Sequence, residues 1–196
     1  MALTPPPKNW QAIPLGRDEK LWSLLIIVMI TMMGLMTVGF VFVGNQNPPE
    51  EYRQIPTEDY RQYAIDGNDA SGAVKTTIRG ENALSLLSGV DAQGNGGDIY
   101  MQARQWNWLA PMTNFTANGI QIARGETYRL HLGSTDVLHG FELIGADFLV
   151  TIQVVPGYDY IVDFIPQETG IFRIICNEYC GAGHHTMFSF MEVVDV

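Results

Sequence analysis

The residues suited to chemistry in this chain are concentrated in one short stretch, residues 176–187. Cys176 and Cys180 are the 2 cysteines of the sequence and lie four residues apart. His184 follows four residues after the second cysteine, and Met187 follows three residues after that. Two thiolates, an imidazole and a thioether form a soft ligand set of the kind that suits copper. The spacing therefore predicts a copper-binding loop with one cysteine more than a mononuclear site needs.

Other uses of the same residues stay open at this point. Two cysteines and two histidines also suit a structural zinc site, although Met187 would then have no part in it. A disulfide between Cys176 and Cys180 would form in an oxidising compartment. A mononuclear blue-copper site needs only one cysteine, so the second one argues against it. A Cys–His nucleophile is disfavoured because no oxyanion or substrate motif accompanies the pair.

The chain resembles the CuA-containing subunit II of haem-copper oxidases in one motif, Cys176-x-x-x-Cys180-Gly181-x-x-His184-x-x-Met187 with Glu178 between the cysteines. The stretch Ser134 to Phe141 is similar to the segment that carries the first histidine in that family. The run Arg173 to Gly181 is especially similar to the small, single-anchor subunit II of ba-type (B-family) oxidases. The resemblance is strong from about Gly125 to the C-terminus and weaker over residues 99–124.

The resemblance implies a binuclear copper centre, CuA, and assigns its ligands. They are the bridging thiolates of Cys176 and Cys180, the imidazoles of His139 and His184, the thioether of Met187 and the backbone carbonyl of Glu178. In larger oxidases of the family the carboxylate beside that carbonyl helps to hold a magnesium ion at a subunit interface, so magnesium is a further expectation here. Haem is expected only in the partner subunit.

An aromatic pair lies upstream of the ligand segments, in Gln105-Trp106-Asn107-Trp108. In many subunit II proteins such a pair after a strand lies over the copper ions, where electrons enter. The resemblance implies this role for Trp106 or Trp108, although the small ba-type proteins often lack the pattern. Packing in the core, the usual role of large aromatic side chains, stays open for both.

The remaining polar candidates are expected in solvated positions. Apolar and polar residues alternate over 126–132, which predicts a half-buried strand with His131 on its polar face. His185 has the wrong spacing for a ligand and is expected at the rim of the copper site. Asp136 and Asp147 are close to the ligand segments in sequence and are expected to be turn or solvated residues.

Leu21 to Val43 is a run of 23 residues without a charge, and a spanning helix needs about 20 mostly apolar residues. This predicts a single transmembrane helix over 21–43, since a secretory signal has a shorter apolar core and a cleavage site. Residues 1–20 are expected to form a cytoplasmic arm, because they carry net positive charge. The C-terminal domain is then periplasmic or extracellular.

Residues 99–196 contain short strands separated by turns, which predicts a sandwich or a Greek-key barrel. The resemblance selects an all-β cupredoxin-like Greek-key sandwich, preceded by the one N-terminal transmembrane helix. Residues 44–98 are expected to be a linker and surface segment, with a helical turn near 57–63 and a short helix over 81–88. Strands are predicted at 74–79, 99–106, 119–123, 126–132, 139–144, 148–154, 159–164, 170–176 and 188–195.

From Gly44 onward 8 basic and 19 acidic residues give a net charge of −11. This charge argues against nucleic acid as a partner and is compatible with a basic soluble partner. The resemblance implies a non-catalytic, electron-accepting subunit of a respiratory cytochrome c oxidase. Such a subunit receives electrons from a soluble cytochrome c or a small copper protein. It passes them to haem in the catalytic subunit I of a hetero-oligomer, where oxygen is reduced.

Two other functions stay open from the sequence. CuA domains also serve some nitric oxide reductases of the same superfamily, and the ligand loop does not separate the two enzymes. A protein of another class, a membrane-anchored copper carrier or assembly protein, would bind one exchangeable copper ion. Two histidines on a rigid scaffold argue against the carrier.

Overall fold

The computed structural model of this chain describes residues 8–9, 12, 14–43, 51–145 and 149–196. The chain divides into two compact units, Met1–Gln46 and Asn47–Val196. The predicted arm around Pro5 to Pro7, the first residues of the linker and Asp147 lie outside the described residues.

The first unit contains a long apolar helix, α1 (Arg17–Val43). Its stretch Arg17–Gly39 contains an 18-residue window with a mean hydropathy of 2.3, so the helix is long and apolar enough to cross a membrane by length and composition. The hydroxyls of Thr31 and Thr37 donate to backbone carbonyls one turn earlier, at 2.8 and 2.9 Å. These hydrogen bonds satisfy both hydroxyls within the helix itself, as an apolar environment requires.

The second unit is a sandwich of two mixed β-sheets with one helix, α2 (Tyr60–Ala70). Its described strands are β1 (Glu51–Gln54), β2 (Val74–Ile78), β3 (Glu81–Leu86), β4 (Asp98–Arg104), β5 (Asn107–Met112), β6 (Phe115–Ala117), β7 (Gly119–Ala123), β8 (Tyr128–Ser134), β9 (His139–Ile144), β10 (Leu149–Val154), β11 (Tyr158–Phe164), β12 (Gly170–Cys176) and β13 (Phe188–Val194). One sheet has the order β1-β11-β8-β4-β5-β6, and the other has the order β10-β9-β12-β13-β7-β3-β2.

The core lies between the two sheets and follows from the alternation of side chains along the strands. In β10 every second residue is buried, from Val150 to Val154, and in β13 the buried positions are Ser189, Met191 and Val193. The largest fully buried side chains come from both sheets and from α2: Trp108, Tyr60, Tyr128, Phe141, Leu84, Met101, Ile120, Ile122, Leu130, Leu132, Leu143 and Ile174.

The predicted strands are confirmed to within two residues at each described end, whereas the predicted helix over 81–88 is wrong. Glu81–Leu86 is strand β3, which pairs antiparallel with β2 and parallel with β7. The connection to β2 is a two-residue turn in which Arg79 and Gly80 have φ of 53° and 86°. Such turns direct the chain into a hairpin, and pairing on both sides then decides the structure of β3.

Residues 57–70 are not the surface linker that the sequence predicts. The helical turn predicted near 57–63 overlaps the start of helix α2, which begins at Tyr60 and packs on β4 and β5. Its buried residues are Tyr60, Ala64 and Asn68, spaced four apart on one helix face. The amide of Asn68 donates to the carbonyls of Tyr100 and Pro111, at 2.9 and 2.8 Å. The helix therefore completes the second unit by covering one sheet.

The solvated position predicted for His131 is wrong. Its imidazole is 3% exposed and lies between two carboxylates, with Nδ1 2.7 Å from Asp159 Oδ2 and Nε2 3.1 Å from Asp98 Oδ1. The Tyr100 ring stacks on it at a centroid distance of 4.0 Å. Because α2 covers this face of β8 and the flanking strands β4 and β11 contribute side chains to it, the polar face of the strand is buried around an ionic cluster.

Candidate metal centre

The loop between β12 and β13 is closed by backbone hydrogen bonds and held against β9. Cys176 is the last residue of β12, and its amide donates to the carbonyl of Met187, just before β13, at 3.1 Å. A 3₁₀ turn, His184–Thr186, forms the end of the loop. The amide that follows Cys176 donates to the Gly140 carbonyl in β9 at 3.1 Å. The loop is thereby fixed beside His139, the first residue of β9.

The predicted donor atoms converge at this end of the sandwich. The Sγ atoms of Cys176 and Cys180 are 3.8 Å apart. Cys176 Sγ lies 3.8 Å from His139 Nδ1, and Cys180 Sγ lies 3.6 Å from His184 Nδ1. Cys180 Sγ also lies 3.7 Å from Met187 Sδ. Each sulfur therefore has an imidazole of its own, although the ligand segments come from distant parts of the chain.

Glu178 contributes its backbone to this cluster and its side chain to the surface. The Glu178 carbonyl oxygen lies 3.2 Å from Cys176 Sγ. Its carboxylate instead accepts a hydrogen bond from the exposed Gln153 amide on β10, at 3.2 Å. The carbonyl therefore faces the donor cluster, whereas the carboxylate lies outside it.

Burial isolates most of these donors from water. His139 is 0% exposed, and Cys176, Cys180 and Met187 are 3%, 4% and 1% exposed. Burial, and then the neighbouring Cys176 thiol, raise the pKa of Cys180 to about 11. The separation of the two sulfurs, 3.8 Å, is much longer than the roughly 2.05 Å of a disulfide. The site therefore holds free thiols, and a bound cation would release their protons.

The donor chemistry fits a pair of copper ions better than one zinc ion. A structural zinc site takes four nitrogen or sulfur ligands, which the two cysteines with His139 and His184 would supply. The thioether of Met187 and the carbonyl of Glu178 would then be unused. Copper takes both imidazole and soft sulfur ligands, so the two additional donors beside the thiols favour copper.

Asp136 orients His139, a role that the sequence analysis missed. Asp136 Oδ1 lies 2.7 Å from His139 Nε2 and also accepts the Val137 amide at 2.7 Å. Because Nε2 faces this carboxylate, Nδ1 faces Cys176 Sγ. A carboxylate behind a ligating histidine fixes the tautomer and the ring orientation. The signal in the sequence is an aspartate three residues before the histidine, a spacing that does not distinguish this contact from a turn.

Trp106 lies on the surface against the ligand loop. It is 37% exposed, and its ring packs so closely on Gly183 that a Cβ added there would overlap it. The preceding side chain, Gln105, donates its amide to the Cys180 carbonyl. The Gln105 backbone amide donates to Asp136 Oδ2 at 2.7 Å. The turn that carries Trp106 is therefore joined both to the ligand loop and to the residue behind His139.

Trp108 has a different environment, although it lies only two residues further along the chain. Its side chain is 0% exposed, and its ring meets those of Phe141 and His139 edge-on at centroid distances of 5.2 and 6.2 Å. Trp108 therefore packs beneath the site and has no contact with solvent. The structure separates the two aromatic candidates into a surface residue and a core residue.

The outer surface of the loop carries Tyr179 and His185. Tyr179 is 75% exposed, with its ring 5.9 Å from that of His184. His185 is exposed, which agrees with the rim position that its spacing predicts.

Residues 98–194 match the family model of the cytochrome c oxidase subunit II periplasmic domain. These residues belong to that family. Cytochrome c oxidase subunit 2 of Thermus thermophilus is 35% identical to the chain over 85 residues, 43% of this chain and 62% of the relative. A probable cytochrome c oxidase subunit 2 of Streptomyces avermitilis is 33% identical over 84 residues, 43% of this chain and 26% of the relative. The chain thus spans less than two thirds of the length of these two relatives.

Solved structures that resemble the chain include a subunit II domain of a cytochrome oxidase and a copper protein. The periplasmic domain of subunit II of cytochrome oxidase from Bradyrhizobium japonicum is 25% identical, with a TM-score of 0.43 over 50% of this chain and 83% of that chain. Reduced rusticyanin is 13% identical, with a TM-score of 0.47 over 74% of this chain and 100% of that chain. The subunit II family match accords with the cupredoxin-like β-sandwich predicted from the sequence.

Proposed function

We propose that this chain is the electron-accepting subunit of a respiratory haem-copper oxidase. The observation that carries the proposal is the convergence of both thiols, two imidazoles, a thioether and a carbonyl at one end of the sandwich. The membership of residues 98–194 in the subunit II family supports it. The specific likeness to the ba-type oxidases stays a prediction.

The residues that would hold two copper ions are the predicted ones. The thiolates of Cys176 and Cys180, the imidazoles of His139 and His184, the thioether of Met187 and the backbone carbonyl of Glu178 would hold the two ions. Bound there, a copper pair would supply a site that accepts and releases one electron. The hydrogen bonds that close the loop on β9 and β13 hold the donors in place, so the protein needs little rearrangement when the charge changes.

Trp106 is the residue through which we expect electrons to enter. It contacts solvent on one side and the ligand loop on the other, and the bond from Gln105 to the Cys180 carbonyl fixes this contact. Trp108 is fully buried and has no surface for a donor. Its role is to pack against His139 and Phe141.

The remaining parts of the proposal concern the assembly. Helix α1 would anchor the chain in the cell membrane with the N-terminus cytoplasmic and the sandwich periplasmic or extracellular, and the catalytic haem-copper subunit would form the hetero-oligomer. Electrons would come from a soluble cytochrome c or small copper protein and pass to haem in the catalytic subunit. The surface carboxylate of Glu178 would face that subunit and help to bind magnesium.

The test is a metal and haem assay of the native complex together with its optical spectrum. We expect two coppers that depend on this chain and a mixed-valence absorption that reductant bleaches. Cys180→Ser should abolish that absorption, whereas Arg124→Gln, far from the loop, should leave it intact. Zinc, or a single copper that a chelator removes readily, would refute the proposal and favour a structural site or a carrier. Haem iron with a third copper indicates oxygen reduction, and non-haem iron indicates nitric oxide reduction.

A further inference from the structure

Gln105 bridges the two chain segments that carry the predicted copper ligands. It lies between β4 and β5, and its side-chain amide donates to the carbonyl of Cys180 in the ligand loop. Its backbone amide donates at 2.7 Å to Oδ2 of Asp136, whose other oxygen lies 2.7 Å from His139 Nε2. A residue that is not itself a ligand therefore contacts both halves of the site.

The ligand loop has no side chain at the point where Gln105 approaches it. A Cβ added to Gly181 would lie only 2.8 Å from Gln105 Nε2 and 3.4 Å from Trp106 Nε1. Any residue other than glycine at position 181 would therefore push the Gln105 amide away from the Cys180 carbonyl. The loop fits this contact as closely as it fits the Trp106 ring at Gly183.

The two imidazoles of the site are supported to different degrees. His139 is fully buried at the start of β9, and Asp136 orients it. His184 is half-buried and lies in the 3₁₀ turn of the loop. The loop amides of His184, Thr186 and Met187 donate to carbonyls within the loop itself, at 2.9–3.1 Å.

In the part of the chain that the structure describes, the bond from Gln105 is the one hydrogen bond that joins residues 180–186 to the rest of the sandwich. The Cys180 and His184 donors therefore depend on a single polar contact for their position. The opposite half of the site has the β9 strand, the Asp136 carboxylate and the bond from the Asn177 amide to the Gly140 carbonyl.

We propose that Gln105 is a positioning residue that holds the Cys180–His184 half of the copper centre in its binding geometry, while Asp136 holds the His139 half. This inference rests on the proposed function. Without the bond from Gln105 the loop has to be ordered when the metal binds, and that ordering weakens binding. A hydrogen bond between neutral groups is worth about a factor of five in an equilibrium constant, so the effect is measurable and moderate.

Two substitutions separate hydrogen bonding from packing. Gln105→Met keeps the length of the side chain and removes the donor. Gln105→Glu keeps its shape, but an ionised carboxylate only accepts hydrogen bonds and cannot donate to the Cys180 carbonyl. The matched control is Gln167→Met, because Gln167 also donates its amide to a carbonyl, that of Ile165 at 3.4 Å, near the end of β12 opposite Cys176.

The first measurement needs no metal: hydrogen exchange of the amides of His184, Thr186 and Met187 in the metal-free full chain in detergent. Exchange should be about fivefold faster in Gln105→Met, the factor that one such hydrogen bond is worth, and at least as fast in Gln105→Glu. Gln167→Met should exchange like the parent. Parent-like exchange in Gln105→Met would overturn the proposal, because packing alone would then hold the loop.

The second measurement uses the copper-loaded complex with its native partners. Release of copper to a chelator should be about fivefold faster in Gln105→Met than in the parent. Electron–nuclear double resonance resolves the nitrogen couplings of the two ligating imidazoles. Gln105→Met should change one set and leave the other, and Asp136→Ala should change the set that Gln105→Met leaves. Equal changes in both sets for Gln105→Met would overturn the proposal, since they would indicate a general loosening of the second unit.

The same samples separate this inference from the proposed function. If the mixed-valence absorption is present and Gln105→Met exchanges and releases copper like the parent, only the positioning role fails. If that absorption is absent from the parent complex, the proposed function fails, and the role of Gln105 toward copper fails with it, whatever the loop amides show.

Discussion

Replacing His131 by leucine should destabilise the second unit strongly, because it leaves the buried carboxylate of Asp159 without its counter-ion. His131 is 3% exposed and Asp159 is 0% exposed, and both nitrogens of the imidazole contact a carboxylate oxygen. Removing one partner of such a buried pair typically costs about 3–5 kcal/mol. Asp159 would keep hydrogen bonds from Tyr60 and Tyr63, each at 3.1 Å. We therefore expect the free energy of unfolding to fall by about 3 kcal/mol, the lower end of that range.

Thermal unfolding of the metal-free full chain in detergent, followed by aromatic circular dichroism, measures this loss. For a unit of about 150 residues each kcal/mol corresponds to about 2–4 °C in Tm, so the midpoint should fall by about 6–12 °C. The control is Arg53→Gln, which removes an exposed ion pair and should leave the midpoint unchanged. If His131→Leu lowered the free energy of unfolding by less than about 1 kcal/mol, the argument would be refuted, because an ordinary substitution costs that much.

The pH dependence of stability gives a second measure of the same cluster. Burial lowers the pKa of His131, but hydrogen bonds to Asp159 and Asp98 outweigh burial, and the net pKa is raised. The stability that protonated His131 contributes is therefore complete below the ordinary histidine pKa of 6.5. It is lost as the pH rises through the raised pKa of the folded state. Burial raises the pKa of Asp98, but hydrogen bonds from His131 and Arg129 lower it overall, so stability also falls in acid below the usual 3.8. The loss of stability at rising pH should be absent in His131→Leu.

The remaining predictions concern the ligand loop. Gly183→Ala should displace the Trp106 ring, because the new Cβ overlaps it. Stopped-flow reduction of the copper centre should then be slower, although the copper content is unchanged. An unchanged rate would contradict the role of this contact. Asp136→Ala should weaken copper binding about 10–100-fold, the usual cost of removing the group behind a ligating histidine. Competition with a chelator measures that affinity, and parent-like affinity would show that Asp136 does not orient His139.

Chemistry that depends on residue type and local spacing was readable from the sequence. The ligand loop is short, so the four-residue spacings already require the two thiols and the imidazole of His184 to lie close together. Alternation along β10 and β13 is a local property of a strand with one buried face, and it placed these strands correctly. The apolar run of α1 is likewise defined by composition and length.

Tertiary structure alone decided the features that depend on partners distant in sequence. The alternation along its strand predicts a solvated His131, yet α2 covers that face, and the flanking strands β4 and β11 supply two carboxylates. Trp106 and Trp108 are the same residue type two positions apart, and only the turn after β4 exposes one while the core buries the other. The contact between Gln105 and the Cys180 carbonyl joins residues 75 positions apart. No local pattern specifies such contacts, because they arise only when the packing of two sheets brings the segments together.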